Sequence, residues 1–205
     1  MRRESATVVS LTGEITGSLL AALGRSGNVS IARPRASPGE QEEASGRPLS
    51  GWEPGARAMR EAARRRSMFV IVPDDPLAGV ATAWSTMWEP AAGPGAPQAF
   101  EARAAETLAA WHDKQFELPD YYIVTAPAQR EVAGPDFYLG PLHAVRPRRV
   151  AVAGVAAADA AAQAALLLDT LRSLEHGPWW PPLDELLDAV RHFYAGALAE
   201  SVAAE

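Results

Sequence analysis

Apolar residues follow two kinds of pattern along the chain, and together they predict alternating strands and helices. Short apolar runs bounded by Gly, Pro or charged residues are typical of buried strands. The predicted strands are residues 7–11, 29–32, 68–72, 121–125, 137–139 and 150–155. Apolar residues spaced three and four apart predict helices. The predicted helices are residues 14–23, 54–66, 76–88, 99–112, 156–174 and a last helix beginning near Pro182.

This order predicts an α/β or α+β fold with a single mixed β-sheet of about five to six strands packed with helices. The last three predicted strands follow one another without a helix between them. Because parallel neighbours need a crossover of about a dozen residues or more, at least one antiparallel pair is expected. We expect one α/β domain over residues 1–205, ending in two consecutive helices.

Residues 34–55 interrupt the pattern. They contain Pro34, Pro38, Pro48 and Pro54, and their few large apolar side chains include Trp52. A segment with so little apolar surface gains too little from burial to offset the entropy lost on ordering. The sequence therefore predicts a flexible loop or linker at residues 34–55.

Composition narrows the class of protein. The chain has no cysteine, which excludes disulfides, thiolate catalysis and thiolate metal sites. Lys114 is the only lysine among 19 basic residues, and with the abundant alanine this indicates a GC-rich bacterial genome. No apolar run approaches the length of about 18 residues typical of a membrane span. We therefore expect a cytoplasmic protein that does not enter a membrane.

Charge is distributed unevenly. Residues 1–66 hold 11 arginines and 7 acidic residues, a net +4, whereas residues 67–205 hold 8 basic and 18 acidic residues, a net −10. A basic arm can dock on an acidic body, either in the same molecule or in a partner, although a solvated surface explains the asymmetry equally well. The net negative charge of residues 67–205 argues against nucleic-acid binding.

The main candidate site follows the strand at residues 68–72, where Asp74 and Asp75 precede Pro76 and a predicted helix. In open α/β sheets, strand ends of this kind carry the chemistry. A carboxylate here could bind Mg²⁺ or act as a general base, with Thr125 supplying a hydroxyl and His143 a base or a hydrogen-bond donor. The alternative is structural: Asp75 caps the helix and Asp74 lies in the turn.

The run Val72-Pro-Asp-Asp-Pro-Leu-Ala78 resembles the opening of the receiver domains of bacterial response regulators. The resemblance implies an acidic pair beside a phosphoacceptor aspartate at the end of a later strand. Here the strand at residues 121–125 ends in Thr125, and Lys114 does not occupy the position of the lysine that receivers carry after a still later strand. The chemistry of receivers is therefore not transferred to this chain.

Other catalytic motifs are absent from the sequence: it has no nucleophile elbow, no phosphate-binding loop with its lysine, and no pair of histidines at metal-ligand spacing. No cofactor and no metal site are predicted. Three tryptophans, Trp52, Trp179 and Trp180, lie in the linker or in a proline-rich turn, where an aromatic side chain can anchor a partner. The sequence thus favours a non-enzymatic interaction or assembly protein that self-associates or docks on a protein partner. The alternative is a small-ligand-binding protein or enzyme with its site at Asp74 and Asp75.

Overall fold

A five-stranded parallel sheet forms the centre of the structure, a computed structural model that describes residues 6–33, 51–89, 91–125, 135–154 and 159–203. The strands are β1 (Thr7–Gly13), β2 (Val29–Ile31), β3 (Phe69–Val72), β4 (Tyr121–Thr125) and β5 (Val150–Ala153). Their spatial order is β2-β3-β1-β4-β5, and every neighbouring pair is parallel. Receiver-type folds have the order 2-1-3-4-5, so the local resemblance near Asp74 does not extend to the sheet.

Helices connect the strands and cover both faces of the sheet. The longer helices are α1 (Gly17–Leu23), α2 (Glu53–Ala62), α3 (Ala78–Thr86), α4 (Ala96–His112), and the consecutive α7 (Ala160–Arg172) and α8 (Leu183–Ala203). Between β4 and β5, the described residues 135–149 form four short helical segments: α5 (Pro135–Phe137), a π-helix (Tyr138–Leu142), α6 (His143–Val145) and a 3₁₀ turn (Pro147–Arg149). The α/β class, the five strands and the two consecutive C-terminal helices confirm the prediction. Within the described ranges, no helix is both long enough and apolar enough to cross a membrane.

Alternation along the strands divides the core between the two faces. On one face, Leu11 and Ile123 pack against α1 and α7. On the opposite face, Tyr122 and Val124 pack against α3, α4 and α8, and Val70 packs against α2. Strands buried on both faces have almost no polar positions, which explains why β3 and β4 appear as continuous apolar runs in the sequence.

The prediction of a mixed sheet with an antiparallel pair is wrong. Residues 137–139, predicted as a strand, belong to α5 and to the beginning of the π-helix. An apolar run of only three residues does not distinguish a strand from a buried helical turn. Because this helical connection links β4 to β5, the two strands can pair in parallel.

Several element boundaries also differ from the prediction by a few residues. Helix α1 begins at Gly17 rather than residue 14, because the Thr16 side chain caps it by accepting a hydrogen bond of 3.2 Å from the Leu19 amide. The predicted linker at residues 34–55 lies mostly outside the described residues. Residues 51–55 are described, and Glu53 already begins α2.

Candidate functional site

The candidate site lies where the carboxyl ends of β1, β3 and β4 meet. After β1 the chain passes to α1 on one face of the sheet, whereas after β3 and β4 it passes to helices on the other face. Open α/β sheets bind ligands at such a divergence, in the crevice outside the strand ends. The loop residues Asp74 and Asp75 lie at this edge of the sheet, as the sequence predicts.

Asp75 is buried, with 5% of its surface exposed. Its Oδ1 accepts a hydrogen bond of 3.0 Å from the Tyr122 hydroxyl, and its Oδ2 accepts one from the Tyr138 hydroxyl. The Leu77 backbone amide also donates to the carboxylate. The side chain therefore ties the loop after β3 to both β4 and the π-helix, and its acceptor positions are directed into the protein.

Burial is the main electrostatic influence on this carboxyl group. Desolvation raises the pKa of Asp75 from 3.8 to about 6, against the lowering effect of the hydrogen bonds from Tyr138, Leu77 and Tyr122. The pKa values of Tyr122 and Tyr138 are themselves raised well above 10, first by burial and then by the nearby Asp75 charge. The arrangement can hold or release a proton close to neutral pH, in a position closed to bulk solvent.

Asp74, by contrast, is half-buried. Burial raises its pKa, and the positive charge of Arg33, just after β2, lowers it. The two neighbouring carboxylates thus occupy different environments, although they are adjacent in the loop after β3.

Thr125 fixes the backbone of the neighbouring loop. Its hydroxyl lies 2.9 Å from the Thr12 carbonyl oxygen and 3.1 Å from the Glu14 carbonyl oxygen, and donates its single proton to this pair. Gly13 has a positive φ of 95°, and a Cβ there would overlap the Thr125 carbonyl. The Thr125 hydroxyl is thus already engaged in shaping the β1–α1 loop.

His143 is exposed at the beginning of α6. In the described part of the chain, the hydrogen bonds to the Asp75 side chain come from Tyr122, Tyr138 and Leu77, and none comes from His143 or Thr125. The four predicted candidates therefore do not form one hydrogen-bonded constellation.

Sequence reasoning missed the two tyrosines that hold Asp75. Tyr122 follows Tyr121 in a fully buried strand, and Tyr138 lies in the segment wrongly predicted as a strand. A buried tyrosine usually needs a hydrogen-bond partner for its hydroxyl. That requirement could have pointed to Asp75 as a structural acceptor, although not to which tyrosine reaches it.

Two buried hydroxyls on β1 lie near this cluster. Ser10 is fully buried, it aligns with Tyr122 on β4, and its Oγ has no hydrogen-bond partner among the described residues. The Thr12 Oγ1, two positions further along the same face, also lacks one within that part of the chain. Ordered water commonly satisfies such groups.

The predicted anchor tryptophans differ in how much surface they offer. Trp52 is half-buried and stacks on Phe116 with ring centroids 6.3 Å apart. Trp180 is buried, and its indole nitrogen donates to the Pro119 carbonyl at 2.9 Å. Trp179 is 40% exposed, with the Arg149 guanidinium 4.7 Å from its ring centroid. Of the three, Trp179 offers the most surface to a partner.

We use the name aromatic face for three clustered aromatic side chains and the π-helix residue next to them: Trp84, Trp88, Phe193 and Leu139, which directly precedes Gly140, the glycine that lies against Phe193. Trp84 is buried at its centre, with its ring centroid 5.5 Å from that of Trp88 and 6.4 Å from that of Phe193. Trp88, Leu139 and Phe193 are 37%, 39% and 40% exposed. Trp84 thus belongs to the core, whereas Trp88, four residues further along the chain, is only partly covered. Clustered exposed apolar residues mark interaction sites more often than single ones do.

The described residues contain no group of three or more His, Asp or Glu side chains placed to hold a metal ion. Comparison of the chain with protein-family models, with curated proteins and with solved structures returns no match.

Proposed function

We propose that this chain is a non-catalytic assembly protein of a GC-rich bacterium, which associates with protein through the aromatic face. The observation that supports the proposal most is the contrast between two regions. At the strand ends, the Asp75 carboxylate and the Thr125 hydroxyl bond to groups of the chain itself. On the aromatic face, three large apolar side chains remain more than one third exposed.

The composition of the face suits protein contact. Tryptophan is enriched among the residues that contribute most to binding energy at interfaces. Helix α8, which carries Phe193, has charges of both signs, since Arg191 bonds to Glu101 of α4 at 2.8 Å and to Asp188 at 2.6 Å. Paired charges of this kind let two copies of the chain approach without strong like-charge repulsion, so we propose a second copy as the occupant.

The proposal keeps the predicted cytoplasmic location, in line with a chain that has no cysteine. Protein is preferred to nucleic acid as the partner because residues 67–205, which supply every residue of the aromatic face, carry 8 basic and 18 acidic residues.

Light scattering on the purified chain at a series of concentrations tests the proposal. Leu139→Ser places a polar group on the aromatic face, and Leu166→Ser is its matched control, because Leu166 is 40% exposed on α7 across the sheet. We expect a defined oligomer that dissociates in the Leu139 variant and persists in the control. A parent chain that stays monomeric at about 100 µM, above the Kd range of most specific interfaces, would overturn the proposal, as would equal dissociation of both variants.

The alternative function is small-ligand binding or catalysis at Asp74. It is favoured by one observation, the half-buried Asp74 carboxylate beside the charge of Arg33 at the carboxyl edge of the sheet. A thermal-shift screen of divalent metals and nucleotides tests it. A rise in Tm that disappears in Asp74→Ala would support a ligand site there, and no rise with any compound would count against it.

A further inference from the structure

One short helix joins the buried carboxylate to the aromatic face. The π-helix begins at Tyr138, whose hydroxyl donates to Asp75. The next residue, Leu139, belongs to the aromatic face, and Gly140 lies against Phe193, since a Cβ on Gly140 would be 3.5 Å from the Phe193 ring. π-helices are rare and occur frequently at functional sites. Pro141 within this one has no N–H to contribute to its hydrogen bonding.

We propose that protonation of Asp75 is a switch that weakens its hydrogen bond with Tyr138 and loosens the π-helix, and thereby disorganises the aromatic face. The consequence for association rests on the proposed function above. The local step, from Asp75 through Tyr138 to the π-helix, does not depend on it.

The ionised and the protonated carboxyl group of Asp75 make different hydrogen bonds, and this difference is the reason for the switch. An ionised carboxylate only accepts hydrogen bonds, and Asp75 accepts them from Tyr122, Tyr138 and the Leu77 amide. A protonated carboxyl group must also donate one. One tyrosine hydroxyl then has to turn and accept that proton, which breaks its own donation, and the bond that remains is no longer charge-assisted.

The groups packed around the Asp75 carboxylate show what can influence its charge. Tyr122 faces it from β4 and Tyr138 from the π-helix. Helix α2 packs on the adjoining Pro76 through Gly55 and carries Glu53 and Arg57, and Asp74 precedes Asp75 in the loop. Among the described residues, no charged side chain is a cause of the raised pKa of Asp75, which is set by burial and by the three hydrogen bonds.

The pH window follows from that burial. With the pKa of Asp75 raised to about 6, the carboxyl group changes from mostly ionised at pH 7.5 to mostly protonated at pH 5. The π-helix should therefore be held at pH 7.5 and loosened at pH 5. The stability of the whole chain should change in the opposite direction, since protonation removes the cost of burying a charge. Local loosening with global stabilisation distinguishes the switch from simple acid unfolding.

Hydrogen–deuterium exchange tests the local step on the full chain, kept dilute enough to be monomeric. Protection factors for residues 138–145, corrected for intrinsic exchange rates, are compared at pH 7.5 and pH 5 with those of β1. We expect the parent chain to lose about tenfold in protection at residues 138–145 on acidification, the value of one hydrogen bond to a charged group. Asp75→Asn and Tyr138→Phe should show low protection at both pH values.

Tyr121→Phe is the matched control, because Tyr121 is also buried on β4 but donates to the Glu175 carbonyl at 3.2 Å. It should keep the pH response of the parent. Unchanged protection of residues 138–145 in the parent chain, or the same pH response in Asp75→Asn, would overturn the switch.

Light scattering at the same two pH values separates the two proposals. Loss of the oligomer at pH 5 in the parent, together with its absence at both pH values in Asp75→Asn, supports both. An exchange response without any oligomer retains the switch and overturns self-association. An oligomer at pH 7.5 without an exchange response retains self-association and overturns the switch.

Discussion

Replacing Asp75 with Asn tests the electrostatic basis of the buried cluster. The substitution keeps the size of the side chain and removes its charge. Asn can accept hydrogen bonds at only one of its two terminal atoms, so it pairs imperfectly with Tyr122 and Tyr138. The hydrogen bonds of Asn do not change with pH, whereas the free energy of the parent carboxyl group in its buried site does. The two effects can therefore be separated by measuring stability across a pH series.

The magnitude follows from the pKa of Asp75, which burial raises from 3.8 to about 6. A group whose pKa is raised on folding contributes stability that is fully present below the unfolded pKa of 3.8 and is lost as pH rises through about 6. Each pKa unit corresponds to about 1.4 kcal/mol. We therefore expect the unfolding free energy of Asp75→Asn, minus that of the parent, to rise by about 2 to 3 kcal/mol between pH 4 and pH 7.5.

Urea denaturation at half-unit pH steps, followed by tryptophan fluorescence, gives this difference directly if the m-value stays constant. Asp74→Asn is the matched control. Burial also raises the pKa of Asp74, but that residue is half-buried and Arg33 opposes the shift, so its difference should rise less. A flat difference for Asp75→Asn, or an equally large rise for Asp74→Asn, would refute the assignment of burial as the cause.

Two further substitutions test the contacts that stabilise the structure around the candidate site. Arg149→Lys should lower the unfolding free energy by about 2 to 4 kcal/mol in urea denaturation. The reason is that the buried guanidinium donates to three backbone carbonyls and stacks on Trp179. An effect below about 0.5 kcal/mol would contradict this. Gly55→Ala should lower the unfolding free energy by about 3 kcal/mol or more in the same assay, since its Cβ would overlap the Pro76 backbone. Gly27→Ala is the control: with open space around Gly27, it should change the unfolding free energy by less than about 0.5 kcal/mol.

The central strands were predictable from sequence because burial on both faces leaves a strong signal. β3 and β4 are continuous apolar runs, and both lie close to their predicted positions. The connection from β4 to β5 was not predictable, because residues 135–149 combine four short helical segments with Gly140, Pro141 and Pro147. Apolar residues in such a segment do not recur with the 3.6-residue period of a helix, so its helical character depends on packing rather than on local pattern. The parallel pairing of β4 and β5 was missed for the same reason.

For the candidate site, the sequence indicated the position but not the surroundings. A pair of acids after a buried strand places Asp75 at the carboxyl edge of the sheet. Its hydrogen-bond partners Tyr122 and Tyr138 lie 47 and 63 residues away along the chain. Contacts at such separations follow from the order of strands in the sheet, and that order was out of reach of pattern reasoning. The direction of the Asp75 side chain, and hence its raised pKa, could not be derived without it.

The different environments of Asp74 and Asp75 show why an acid at a strand end is weak evidence for catalysis. A general base must reach a substrate. The Asp75 side chain is buried instead, and α2 packs so closely on the Asp75–Pro76 backbone that Gly55 has no room for a Cβ. A carboxylate enclosed in this way can still respond to protons, which are small and can reach buried groups through local opening. Its response is then mechanical, through the groups that it holds in place. This is why we place the function of Asp75 in controlling the π-helix and locate the contact with other molecules on the aromatic face.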